Sequence, residues 1–256
     1  MIQNLKVLYC KQLLIQMEMW LVDGDIGRVR MGVGKEHNIK EKMKMNELYK
    51  MLDVYRKNVT DEIKPEILDE KQKELGVEFP EGMKEFFQHF GNDTEVMSSF
   101  YVFDRVDEIR IEHDALTFGE KHEGMGRLGI TLKHLSSDYQ AISWYDYSAK
   151  EWYSEGAIFP EAFFFNIACW QLINSMESMA KVRISESELE NLLGDKLKLF
   201  TDEKKYNMGC DMLSIYGDDI LGCYLVEDEE LYLGSQKGDD VLENIDECLN
   251  LDLDWL

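Results

Sequence analysis

From Asn46 the apolar positions Leu48, Met51, Leu52 and Tyr55 fall on one helical stripe. A second helix starts at Pro65, where a missing N–H costs nothing in the first turn. It sets Ile67, Lys71 and Leu75 on one side with Leu68 beside them. Gly76 ends that helix, as a residue free to enter the left-handed region does. Pro80 disfavours the α conformation in the residue before it, so Val77 to Phe79 is expected to be extended. A third helix follows with Met83, Phe86, Phe87 and Phe90 at i, i+3, i+4 and i+7, and Gly91 stops it.

Beyond Gly91 the period shortens toward two. Ser99 to Phe103 and Gly129 to Leu132 read as strands, while Val106 to Phe118 fits either alternation or a helix. Tyr139 to Tyr145 and Glu151 to Tyr153 read as two strands around a turn from Asp146 to Lys150, with Trp144 and Trp152 both expected toward the core. A long helix from Glu161 to about Met179 is apolar over more than one stripe, which predicts burial on several sides. Ser185 and Glu188 form a capping box ahead of Leu189, Leu192, Leu193 and Gly194. Cys210 to Tyr216, Ile220 to Val226 and Glu230 to Leu233 read as a meander, and a last helix turns Val241, Leu242, Ile245, Cys248 and Leu249 inward.

The stretch around Leu75, Gly76, Phe79, Pro80, Phe86, Phe87 and Gly91 resembles the opening motif of the SUKH superfamily, the Smi/Knr-like proteins: acidic helix, Leu-Gly, two residues, hydrophobic-Pro, aromatic-rich helix, glycine turn. The likeness extends through the hairpin and the long helix, over about residues 46 to 180. One departure is the run Gly91, Asn92, Asp93 where the family often has a Gly-Gly turn. The resemblance implies an α+β fold with an antiparallel or mixed sheet flanked by helices. Three regions are expected: a poorly integrated extension at 1–45, possessing a glycine-rich patch from Gly24 to Gly34 and read as starting from an upstream start codon; the SUKH-like domain at 46–182; and a small acidic α/β segment at 183–256.

Charge adds to this picture. The chain has 51 acidic and 28 basic side chains, a net of −23, a surface that repels nucleic acid and anionic membranes and attracts basic proteins or cations. Residues 1–45 carry 8 basic and 5 acidic side chains, whereas residues 182–256 carry 6 basic and 20 acidic ones. Cys10, Cys169, Cys210, Cys223 and Cys248 are dispersed and form no C-x-x-C pair, which fits small buried hydrophobes in a reducing compartment. The most apolar run, Leu5 to Val22, is broken by Lys6, Lys11 and Glu18, so neither a membrane span nor a signal peptide is expected and a cytosolic location is.

Motifs of catalysis are missing from the pattern. The patch ending in Gly34-Lys35 lacks the phosphate-loop spacing, with Val29 where glycine is required and Glu36 where Ser or Thr binds magnesium. His113, His122 and His134 lack metal-site spacing. No cofactor, no metal and no enzymatic activity are expected, the rival reading being an enzyme using His113 or His122. Many SUKH proteins are immunity proteins that bind and block a secreted polymorphic toxin, often a nuclease or deaminase. The resemblance thus implies a basic toxin domain as partner, and an intracellular regulatory scaffold as the alternative. Exposed tyrosines among carboxylates around the hairpin are the expected contact surface: Asp138, Tyr139, Asp146, Tyr147, Glu151 and Glu155.

Overall fold

The computed structural model describes residues 45–121, 124, 126–137, 140–154, 160–194, 196–200 and 212–256. The expected extension, apart from Met45, lies outside them. Helix α1 (Met45–Leu52) buries Met45, Leu48, Tyr49 and Leu52, and a 3-10 turn at Asp53–Tyr55 continues it. In α2 (Pro65–Leu75) the buried residues are Leu68 and Lys71, and Gly76 caps the helix at φ 69°. Ile67 stands 48% exposed, against expectation. The Lys71 ammonium donates to the carbonyl of Asp107 at 3.0 Å, so this face closes on a polar contact, not an apolar one.

Pro80 precedes α3 (Glu81–Phe90), whose Met83, Phe86, Phe87 and Phe90 are completely buried. Each of these contributes about 1.5–3 kcal/mol through burial. Gly91 has φ −61°, so glycine is not needed there for a left-handed turn. A Cβ on it would clash with Ile63 Cδ1, which makes close packing the reason. Asp93 then caps α4 (Thr94–Ser98) by accepting from the N–H groups of Glu95 and Val96.

The first sheet holds β1 (Val102–Phe103), β2 (Arg110–Glu112), β3 (Ala115–Lys121) and β4 (Gly126–Thr131), then a short α5 (Leu132–Leu135), β5 (Ser143–Asp146) and β6 (Glu151–Ser154). Its order is β1-β3-β4-β5-β6, with β2 also paired to β3, and every pairing is antiparallel. The ambiguous stretch from Val106 resolves into a 3-10 turn followed by the β2–β3 hairpin, whose two turn residues, His113 and Asp114, have φ of 50° and 60°. Successive positive φ values are the two-residue turn that matches strand twist.

Helix α6 (Pro160–Ser175) is buried around nearly its whole circumference, from Pro160 to Ile173. It packs on α3 and α4 and on three strands of a second sheet. At Gly82 a Cβ would come 2.7 Å from the Glu161 backbone, so α3 and α6 touch where only glycine fits. The long helix stops at Ser175, short of the expected Met179, because β7 (Ser178–Arg183) follows. Ser178, Ala180 and Val182 alternate inward along it, so only Ser178 and Met179 pass from the expected helix to the strand.

After β7 come α7 (Glu186–Leu192) with the expected capping box, β8 (Lys198–Leu199), and the meander β9 (Met212–Gly217), β10 (Ile220–Leu225) and β11 (Glu230–Ser235). Helix α8 (Asp239–Leu249) and β12 (Asp254–Trp255) close the chain, and Cys248 is exposed on α8 instead of buried. The second sheet runs β12-β7-β11-β10-β9-β8, all antiparallel. Leu221 and Cys223 face the α6 core, and Ile220, Tyr224, Leu231 and Leu233 face a second core with Leu242 and Ile245 of α8. The C-terminal segment therefore carries most of a full sheet, and the boundary expected at 182/183 falls inside β7. Met43–Leu256 forms one compact unit. The protein is α+β, with eight α-helices and two six-stranded antiparallel sheets among the described residues.

Candidate functional site

Strand alternation divides the first sheet into two faces. Leu116, Phe118, Leu128 and Ile130 point into the core. A row crosses four strands on the other face, where a register shift between Thr117 and Gly119 turns Glu120 outward: Glu120 opposite Arg127, Arg127 opposite Tyr145, Tyr145 opposite Trp152. The four-residue turn at 147–150 sets this register, because it pairs Asp146 with Glu151. Trp152 therefore shares its face with Tyr145, while Trp144 shares the opposite face with Tyr153, stacked on it at 5.2 Å. The two tryptophans do not both face the core as expected: Trp144 packs against it and Trp152 lies on the outer face.

Arg127 is the centre of that outer face and is only 2% exposed. Its guanidinium grips Asp104 with two N–H groups, one of them at 3.1 Å, and lies 3.7 Å from both Glu112 and Glu120. Burial works against the charge, but the hydrogen bonds and field of Asp104 outweigh it and hold the Arg127 pKa above its ordinary value. Tyr147, 43% exposed, sits at the edge of this group with its pKa raised by burial first and by Glu120 next. Three carboxylates around one arginine leave an excess of negative charge beside an exposed phenol.

Aromatic rings continue the surface. The His113 imidazole stacks on Tyr145 at 4.0 Å and 8° between planes, and Tyr147 and Trp152 flank Tyr145 at 6.1 and 5.4 Å. Trp152 Nε1 donates to the His113 carbonyl at 2.8 Å. The indole leans over Gly129, where a Cβ would meet its Cη2 at 3.0 Å. Beside it an open groove of about 500 Å³ is lined by His113, Asp114, His134, Ser143 and Trp152, with Lys133 at the rim.

Of the expected contact residues, Asp146, Tyr147 and Glu151 come together at the β5–β6 turn. Asp146 has a structural task as well, its Oδ1 accepting from the N–H groups of Ser148 and Ala149. Asp138, Tyr139 and Glu155 lie outside the described residues, as does His122. His113 and His134 meet at one groove, yet among the described residues no group of three or more His, Cys, Asp or Glu side chains is placed to hold a metal ion. Sequence reasoning missed Arg127, Asp104, Glu112 and Glu120 as members of the site. The available signal was Arg127 alternating with Leu128 and Ile130, a charge at an outward position of an otherwise apolar strand.

No protein-family model, curated protein or solved structure matches the chain. Function is therefore argued from this face itself. No helix among the described residues is long and apolar enough to cross a membrane.

Proposed function

We propose that this protein is a SUKH-like immunity protein, which binds a basic toxin domain stoichiometrically through the outer face of its first sheet and is not itself an enzyme. The observation that carries the reading is this outer face and the hairpin end beside it: the half-buried Trp152 on β6 with Glu112 and Glu120, and the exposed Tyr147 ring at the β5–β6 turn between Asp146 and Glu151, on a chain of net charge −23. Tyrosine and tryptophan give large contact area at low entropic cost, and carboxylates around them select a cationic partner and speed its approach. A toxin that acts on nucleic acid is basic at its cleft, so an acidic surface complements it.

Co-expression tests this reading. With the toxin domain encoded beside it, the full chain is expected to restore growth and to copurify one to one. Failure of both, with a folded chain, transfers the weight to a regulatory scaffold that uses the same surface for an endogenous partner.

A further inference from the structure

The groove beside Trp152 has chemistry of its own. Because Trp152 spends its only N–H on the His113 carbonyl, the ring presents a plane without a donor, fixed over Gly129. Such a plane attracts cations through its negative face, tryptophan more than any other side chain. Ser143, 2% exposed, lines the groove and makes no side-chain hydrogen bond among the described residues. Its hydroxyl is an acceptor within the wall. Asp114, exposed at the hairpin turn, supplies a carboxylate at the rim, and His113 is held rigidly by its stack on Tyr145. An aromatic plane beside a hydroxyl and a carboxylate suits a planar cation with in-plane donors.

We infer that this groove is the anchor site for one arginine side chain of the partner, its guanidinium stacked on Trp152 and donating to Ser143 and Asp114. This rests on the basic-partner reading and deepens it. Arginine suits the site better than lysine because a flat, weakly hydrated guanidinium stacks and hydrogen-bonds at once, while an ammonium is compact and strongly hydrated. The field of a chain with net charge −23 favours a cation over an anion as occupant. Lys133 is exposed at the rim and its flexible stem lets its charge stay in water.

The test uses the full chain and three small probes: N-acetyl-arginine methylamide, the lysine equivalent and N-acetyl-glutamate. The readout is the Trp152 indole N–H resonance, assigned by its loss in Trp152→Phe. Expected is a saturable shift with the arginine probe, weaker with lysine and absent with glutamate. Ser143→Ala and Asp114→Asn are each expected to weaken it at least threefold, and the accompanying shift of the Ser143 backbone amide is expected to vanish in Trp152→Leu, where that amide is the readout. A larger response to glutamate, or none to arginine, overturns the inference. A nona-arginine peptide separates this failure from failure of the broader reading. Salt-sensitive peptide binding that is unchanged in Trp152→Leu leaves a basic partner but removes the anchor. A groove that takes the arginine probe on a chain that ignores the peptide keeps the anchor and removes the acidic surface as a docking site.

Discussion

At the scale of single residues, buried charge is paired charge. Arg127 and Asp104 pair beneath the acidic face, while Arg127 Nε has no hydrogen-bond partner among the described residues. Removing one member of a buried pair leaves the other desolvated and unpaired, so Arg127→Met is expected to lower stability by about 3–5 kcal/mol in urea unfolding. Pairing it with Asp104→Leu is expected to recover most of that loss, because the unpaired carboxylate is gone. A single variant as stable as the wild type would show that the pair is not what orders this face. Arg56 makes a similar centre near the motif helices, bonded to Asp93 at 2.7 Å and to Asp53 and lying over the Phe90 ring. Asp93 there both caps α4 and receives Arg56. Such clusters were illegible in the sequence because their members are far apart in it: Asp104 is 23 residues from Arg127 and Asp93 is 37 from Arg56. The exposed Tyr147 and Glu151, carried on one local hairpin, were legible.

At the scale of elements, helices with capping and stop signals were read well and the strand beginnings less so. Gly76 and the Ser185 box mark their termini by local chemistry, whereas β7 begins inside a run that continues the helical pattern of α6. What turns the chain near β1 is one side chain of α6. Gln171 Oε1 accepts from the N–H groups of Phe100 and Tyr101 at 2.9 and 2.8 Å, and its Nε2 donates to the carbonyls of Val96 and Tyr101 at 2.8 and 2.7 Å. Four backbone groups thereby find partners where no strand provides them, which is why Ser99 to Tyr101 is held without being β. Gln171→Leu preserves volume but orphans these groups, and at roughly 1–3 kcal/mol for each unsatisfied buried group the loss is expected to exceed about 3 kcal/mol. Faster hydrogen exchange at Phe100 and Tyr101 would accompany it; unaltered protection there would contradict this role.

At the scale of the whole molecule, α6 packs on the second sheet and shares one core with the inner face of the first, opposite the face that carries Arg127 and Trp152. Tyr55 links the 3-10 turn after α1 to the second sheet by donating to the Gly217 carbonyl at 2.9 Å. Burial first, and the nearby Tyr216, raise its pKa to about 12. The fold thus favours the neutral phenol: this contribution is complete below the unfolded pKa of about 10 and is lost as pH rises through about 12. The stability difference between wild type and Tyr55→Phe is expected to shrink over that interval, and a difference independent of pH would contradict the link. That two sheets share one central helix was not legible, since the second sheet lacks a motif and its first strand was hidden. That the chain is α+β, acidic and built to hold aromatic residues among carboxylates was. The central claim is that this acidic aromatic face binds a basic protein, and stopped-flow association of the full chain with a toxin domain it neutralises in co-expression, from low to high salt, tests it most directly. The account predicts an on-rate falling about tenfold or more as salt rises, and a slower, flatter dependence for Glu120→Gln/Tyr147→Ala/Glu151→Gln. An on-rate that ignores both salt and these substitutions would contradict it.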